Sequence, residues 1–349
     1  MILIIGTGLS QIIPLAVQPI VRRIFTVEDF GLFSQYYSIA AILSIVASLK
    51  YEKSIVIPKE DKSAIHLLAG SIALNLLFST LVLVVIMFFG RWIFDLMGLS
   101  DRLMGYAWLI PLSVFLMATN IAFNFWLTRK KRFKSLVYNK TVRRSTEAGS
   151  RIVFGKISLN GGLIFGSLIG DFFNFLLSLF QFKKSGGTFK GVKKEEIKTQ
   201  FIEQKEFPKY ALLPAVLNVI SSFLPVFLLS AFYSETIVGQ FDGTREVLSA
   251  PLAIISISIS QVLYQRIMED INNGKKIHRF IRNNALFLGA IGLAGVLLFY
   301  PFGVAIFEFI FGKQWTLAGE FSGILVFSYA IRFIISPLSI VFTALKQLK

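Results

Sequence analysis

The chain has 349 residues, of which 54% are hydrophobic and only 16% charged, where a soluble globular protein carries about 25% charged residues. Cysteine is absent and His66 and His278 are the only histidines, which excludes a disulfide framework, a thiolate metal cluster and a thiol nucleophile; no metal and no cofactor is expected. The formal net charge of +16 invites a nucleic-acid reading, and the placement of that charge along the chain decides against it.

A membrane helix needs about 20 mostly apolar residues. Residues 1–21 carry no charged leader and no small-residue cleavage site, so they read as a first span and not as a signal peptide. Uncharged runs follow at 30–49, 63–90 and 103–128. Residues 135–156, SLVYNKTVRRSTEAGSRIVFGK, fail any hydropathy window. Placed on a helix, however, Lys140, Arg143, Arg144, Glu147 and Arg151 share one arc of about 100°. The rest of that wheel holds Val142, Ser145, Ala148, Gly149, Ile152 and Val153, small or apolar residues that suit close helix packing. Such a helix either lies flat on the membrane surface or spans it with its charged stripe toward water. The run 157–182 is broken only by Asp171, and 183–209 is a Lys-, Glu- and Gly-rich linker. Further spans are expected at 210–234, 247–265, 283–307 and 321–345, the last containing Arg332.

Cytoplasmic loops are enriched in Lys and Arg, and this rule favours spanning for 135–156. If the segment spans, one alternating set of loops (50–62, 128–144, 183–209, 266–282 and 346–349) holds 27 of the 36 basic residues, and the opposite set holds six. If it does not, the asymmetry largely collapses. The basic residues therefore follow loop topology and form no single patch, and no nucleic-acid module accompanies them. Arg22, Arg23, Lys50 and Lys53 sit at span ends and read as snorkelling residues. Trp92, Trp108, Trp126 and Trp315 read as an interfacial belt, and His66 as structural.

The chain also resembles itself. FGLFSQYYSIAAILSIVASLKYEKSIV after the first span is echoed by VGQFDGTREVLSAPLAIISISISQVLY, with Gly31 matching Gly239; later, Gly98 matches Gly312. The expected architecture is an all-α membrane protein of about ten transmembrane helices in two lobes related by an internal six-helix repeat. An even-numbered repeat implies an axis along the membrane normal and a path between the lobes. The lobes are expected at 1–182 and 210–349, the second incomplete with four spans, joined by a cytoplasmic linker at 183–209.

Three stretches carry a family resemblance. RRIFTVEDFGLFSQYYSIAAILSIVASLKYEKSIVIPKE, through Arg23, Asp29, Phe30, Gly31, Tyr51, Glu52, Ile55, Val56 and Pro58, resembles the opening of the polysaccharide flippases often called Wzx proteins. FGKQWTLAGEFSGILVF, through Gly312, Trp315, Ala318 and Gly319, resembles a turn of the same family, and TREVLSAP, with Arg245 and Pro251, looks like a helix start in the related lipid II flippases. The resemblance implies membership of the multidrug/oligosaccharidyl-lipid/polysaccharide exporter (MOP) superfamily and alternating access between two lobes. It also implies a polyprenyl-diphosphate-linked oligosaccharide as substrate, other polysaccharide-assembly proteins as partners, and the bacterial inner membrane as location. Family members typically have twelve helices, so this chain reads as lacking the last two.

A diphosphate-sugar head group needs a solvated path with guanidinium groups, which bind phosphate in a bidentate manner. The candidates are Arg143, Arg144, Glu147 and Arg151 on the charged stripe, with Glu147 placed to pair with Arg143 and Arg151 one turn away on either side. Arg245, with Asp242 one turn back, and Arg332, expected to face the interior, complete the substrate set. Asp171 and Asp242 are candidates for ion coupling, Asp171 alternatively for pairing with an Arg of the stripe. For each charge the alternatives are a structural ion pair or an interfacial anchor. A drug/cation antiporter of the same superfamily is the competing function, but its cavity should favour acidic residues. A membrane polymerase or glycosyltransferase would need a large polar loop or paired carboxylates, and neither is present.

Overall fold

The computed structural model describes residue 13, residues 16–272 and residues 278–339; across 251–272 it describes the backbone and, among side chains, those of Leu263, Arg266, Ile267 and Glu269. The expected span 1–21 therefore lies mostly outside the described residues, as do most side chains of 247–265. Every regular element among the described residues is helical.

A short helix over residues 16–24, α1, leads into α2 (Val27–Ala47). A 3-10 turn at Tyr51–Val56 precedes α3 (Asp61–Leu96), α4 (Asp101–Met104) and α5 (Ile110–Arg129). Then come α6 (Phe133–Lys156), α7 (Gly162–Lys184) and α8 (Lys194–Glu203). The rest is α9 (Leu212–Phe232), α10 (Glu235–Asn272), α11 (His278–Phe311) and α12 (Thr316–Leu338). Among the described residues, seven segments are long and apolar enough to cross a membrane: Val27–Ala47, Asp61–Leu96, Ala107–Arg129, Gly162–Lys184, Phe207–Phe232, His278–Phe311 and Lys313–Leu338. The protein is a multi-pass membrane protein. The expected span 247–265 falls inside the single backbone helix α10.

Internal contacts divide the chain into two compact units, one holding Glu28–Gly239 and the other Gln18–Val27 with the residues from Gln240 onward. In the first unit, α5 is the axial helix: its Ile110, Val114, Ala118, Ala122, Phe123 and Trp126 are almost wholly buried. One apolar cluster joins α5 to Leu32, Tyr36 and Ala40 of α2 and to Ile164 and Leu168 of α7. A second, nearer the Lys-rich loops, gathers Ile55, Leu67, Leu68, Phe123, Trp126 and Phe182. Side chains turned outward, such as Leu77, Met87 and Phe88 of α3, present apolar surface that suits hydrocarbon.

The 3-10 turn and the polar linker are both built structure. Ile55 is fully buried, Glu52 pairs with Lys50 at 3.5 Å and accepts from the Ser48 hydroxyl, and Arg129 donates to the Lys59 carbonyl at 3.1 Å and to that of Pro58. Lys50 is thus a buried, paired residue with φ 67° and not a snorkelling one. Within the linker, α8 docks Ile197 and Phe201 over Gly70 of α3, where a Cβ would meet Phe201 Cζ at 2.6 Å. Phe201 stacks on Tyr51 at 4.1 Å between ring centroids, and Glu196 binds Lys62 at 3.2 Å and His66 Nε2 at 3.0 Å. His66 holds this corner together, a structural role as expected.

Two tryptophans expected in an interfacial belt are core residues. Trp126 is fully buried, and its Nε1 donates to Ser185 Oγ at 2.8 Å. Trp315 is fully buried in the second unit, and its Nε1 donates to the Arg22 carbonyl at 3.0 Å. Arg22 is no snorkelling side chain either: it is 1% exposed, lies 4.3 Å from the Trp315 ring and binds Glu246 at 2.8 Å. Arg23 caps the end of α11, donating to the carbonyls of Phe309 (2.6 Å) and Ile310 (3.1 Å). Trp92 and Trp108 are exposed, as belt residues should be.

Candidate functional site

The hydropathy-silent helix α6 lies antiparallel to α7 along its whole length. Asn139 Nδ2 donates to Ser178 Oγ at 3.0 Å near one end, and the Phe154 and Phe165 rings meet at 6.5 Å near the other. Buried α7 residues recur every fourth position on the facing side: Gly162, Gly166, Gly170, Asn174 and Ser178. A Cβ at Gly166 would lie 2.6 Å from Arg151 Cγ, and one at Gly170 would lie 3.0 Å from the Arg143 carbonyl. The absent side chains let the two backbones close on each other. A helix paired this way with a membrane-crossing helix crosses too, so of the two readings of 135–156 the geometry supports spanning.

That pairing concentrates charge. Arg143 is ion-paired with Asp171, Arg151 binds Glu147 at 2.7 Å, and Arg144 reaches Glu147 at 3.3 Å. The two carboxylates are almost wholly buried; an unpaired buried carboxylate would cost on the order of several kcal/mol, which the arginines offset. Glu147 was expected to pair with Arg143 and Arg151 along the helix. Instead Arg143 is turned toward α7, and Arg144 takes its place. Asp171 is held further by its own backbone, whose carbonyl accepts from Asn120 Nδ2 at 3.0 Å. Arg151 also lies 4.5 Å from the Phe33 ring on α2. Three guanidinium groups thus face two carboxylates, and Arg144 is the most open of the three, with its side chain 36% exposed.

Polar side chains continue through the same unit. Asn75 Nδ2 donates to Thr119 Oγ1 at 3.4 Å, and the Tyr36 hydroxyl meets Ser113 Oγ at 2.6 Å. The amide oxygens of Asn75, Asn120, Asn139 and Asn174 are buried without a protein partner. Hydrocarbon would not tolerate so many unsatisfied acceptors, so this interior is a polar seam along α3, α5, α6 and α7.

In the second unit the remaining candidates form a smaller group. Arg245 is ion-paired with Asp242 one turn back on α10. On α12, Arg332 lies 5.5 Å from the Tyr329 ring. Arg332 was expected to face inward, yet it is exposed in the isolated chain. It shares its flank of α12 with Ser328, Tyr329 and Ser336, while Ile324, Ile331 and Ile335 form the apolar outer face. A polar flank is the side on which an intramembrane Arg is tolerated. No group of three or more His, Asp or Glu among the described residues could hold a metal ion.

The signature residues do different work from the charges. Gly312 adopts φ 101° and ψ 164°, a region essentially open to glycine alone. Trp315 and Ala318 are fully buried, and a Cβ at Gly319 would lie 2.5 Å from Val304 Cα. Gln240 fastens this turn, donating to the Gln314 carbonyl (2.6 Å) and accepting from the Ala318 N–H (3.0 Å). In the first unit Asp29 binds Arg102 at 2.9 Å, Arg102 also binds Glu235 at 3.0 Å, and Gly31 leaves room for the Glu235 carbonyl. Sequence reasoning missed Phe33 and Tyr329 as partners of the charges. Helical spacing held part of the signal, since Tyr329 precedes Arg332 by one turn.

The fold is shared with solved transporters. One is a multidrug resistance MATE family transporter of the MOP superfamily in an inward-facing conformation (14% identity, TM-score 0.69, 96% of this chain and 80% of that chain). Another is the lipid II flippase MurJ in an inward closed conformation (15% identity, TM-score 0.77, 99% of this chain and 76% of that chain). A third is a MATE protein in complex with Br-NRF (15% identity, TM-score 0.54, 98% and 94%). A search of curated proteins finds no match. The family model described as polysaccharide biosynthesis protein matches residues 1–269, most of the chain, and the chain belongs to that family.

Proposed function

We propose that the protein is a Wzx-type flippase that carries a polyprenyl-diphosphate-linked oligosaccharide across the bacterial inner membrane, for O-antigen or other surface polysaccharide assembly. Transport proceeds by alternating access between the lobes 1–182 and 210–349, the second incomplete with four spans, and no covalent chemistry is involved. The observation that carries this reading is the charge of the α6–α7 cluster: three arginines against two carboxylates at membrane depth. Asp171 and Glu147 hold Arg143 and Arg151 in place, and Arg144, bonded to Glu147 but the most open of the three, is the one to meet a phosphate. Arg245 and Arg332 offer a second pair of guanidinium groups, with Asp242 and Asp171 as the groups through which an ion could couple. The fold shared with a lipid II flippase supports a lipid-linked substrate, and family membership supports a polysaccharide precursor. A drug/cation antiporter, which the MATE likeness suggests, would need a site of net negative charge, and this cluster is positive.

The test is flipping in liposomes, read as protection of a fluorescent polyprenyl-diphosphate sugar from an external glycosidase. Arg144→Gln and Arg332→Gln should each slow movement by about tenfold or more while leaving thermal stability within about 1 kcal/mol, since neither holds a buried charge pair alone. Unchanged flipping in both, or transport of a cationic dye in place of the lipid, would overturn the reading.

A further inference from the structure

The polar linker 183–209 carries a feature that transport does not use. Helix α8 docks on α3 through Ile197 and Phe201, and Glu196 fastens it to Lys62 and His66. Beside that docked face lies a groove of about 630 Å³ whose floor is the Tyr51–Phe201 ring stack and whose wall includes Lys194, Lys198, Ile202 and Lys205. The three lysines are exposed and have no ion-pair partner among the described residues, and Glu195 is the one acidic side chain of the lining. The groove is therefore cationic. Ile202 stands 58% exposed beside the lysines. The adjoining stretch is tied to the membrane at both ends: α7 is a crossing segment that ends at Lys184, and the next begins at Phe207, three residues after the α8 cap Gln204. Tyr210 and Leu213, at the start of that crossing segment, are exposed and apolar.

A groove with a lysine wall, an aromatic floor and an apolar edge, fixed at the level where helices enter the bilayer, matches a phospholipid at its glycerol-phosphate end. Phosphate meets ammonium groups, and the upper acyl chain meets Ile202 and the start of the crossing segment. Lysine clusters at this depth attract anionic leaflets, and apolar side chains beside them anchor a helix in the interface. We propose that the α8 groove is a binding site for the head group of an anionic phospholipid, with Lys194, Lys198 and Lys205 as its phosphate ligands. It is independent of the translocation reading and stands if that reading fails.

Native mass spectrometry of the full chain in detergent, titrated with phosphatidylglycerol and with phosphatidylcholine, tests it. The wild type should retain phosphatidylglycerol in preference to phosphatidylcholine, and the triple change Lys194→Gln, Lys198→Gln, Lys205→Gln should weaken that retention by about tenfold or more. Lys183→Gln with Lys184→Gln, equal in kind but at the end of α7, should leave it unchanged, and arginine at the three groove positions should restore it. Equal loss in the α7 pair would show diffuse attraction and overturn the site. Displacement of the lipid by inorganic phosphate at similar concentration would overturn the phospholipid assignment in favour of a soluble anion. Retention of polyprenyl phosphate far above phosphatidylglycerol would overturn it in favour of the transported lipid.

Discussion

The α6–α7 and α11–α12 hairpins solve one packing problem with opposite chemistry. Both are antiparallel, both turn at a glycine with positive φ (Gly161 at 72°, Gly312 at 101°), and both close on small residues. In α11–α12 a Cβ at Gly303 would lie 2.3 Å from Ser322 Oγ, and one at Gly292 would lie 3.3 Å from the Ala330 carbonyl. There the buried surface is apolar apart from Ser322, none of the charged residues of the two helices is buried, and Arg332 stays on a flank. In α6–α7 the buried surface holds Glu147 and Asp171, and five charged groups interlock across or along the seam. Small residues bring helices together in lipid whatever else they carry. Charge in the seam adds something packing does not require, which is why the proposed function is centred on the α6–α7 hairpin.

The comparison can be broken first at the small residues of each seam. Gly166→Val pushes a side chain into Arg151, and Gly319→Val pushes one into the Val304 backbone. Each should cost about 1–3 kcal/mol by overpacking, and Gly166→Val more, because separation also unpairs Glu147. Thermal unfolding in detergent measures both; equal losses would mean that the charges add nothing to the first hairpin. Next comes Asp171→Leu, which leaves Arg143 buried without its partner and should cost about 3–5 kcal/mol, while Asp171→Leu with Arg143→Met should regain most of it. Stability restored but flipping lost in the double variant would separate the pair's two roles. Gly312→Ala should cost about 1–3 kcal/mol from backbone strain alone, since nothing lies within 4 Å of the new Cβ.

The smallest effect is at the α8 corner. Lys62, hydrogen-bonded to Glu196, holds its carboxyl below the ordinary glutamate range. A carboxylate with a depressed folded-state pKa contributes stability that is present above its unfolded value and lost as pH falls through the folded one. Hydrogen exchange in 194–203, taken relative to the intrinsic rate at each pH, should therefore be unchanged from neutral pH down to the ordinary glutamate range and rise only below it. A rise already near neutral pH would show that Glu196 does not hold the helix.

Much of the candidate site was legible in advance because helical periodicity is a local property. The positions of Lys140, Arg143, Arg144, Glu147 and Arg151 place their charges on one arc whatever surrounds them. Partner choice was legible only in part: Glu147 meets Arg151 as expected, and Asp171 meets a stripe arginine, one of its two readings, but which arginine was not legible. Arg143 turns to Asp171 across the seam because α7 offers glycine at the point of contact, and Arg144 then takes Glu147. The roles of Arg22, Lys50, Trp126 and Trp315 were misread for a similar reason. A basic or aromatic residue at a span end looks the same in sequence whether it meets headgroups or a neighbouring helix.

By itself the sequence determined that the chain crosses a membrane several times, where most apolar crossings lie, and that one polar segment could cross only with its charges gathered on a single face. These follow from length, hydropathy and helical period, which need no knowledge of neighbours. Tertiary structure alone decided that the polar segment lies alongside α7, that Arg143 is the arginine that meets Asp171, that Arg22 stacks on Trp315, and that α8 docks on Gly70 beside a lysine-walled groove. Each depends on two segments far apart in the chain meeting at one small residue, and the absence of a side chain at Gly166, Gly170, Gly70 or Gly243 shows its purpose only when the partner is in place.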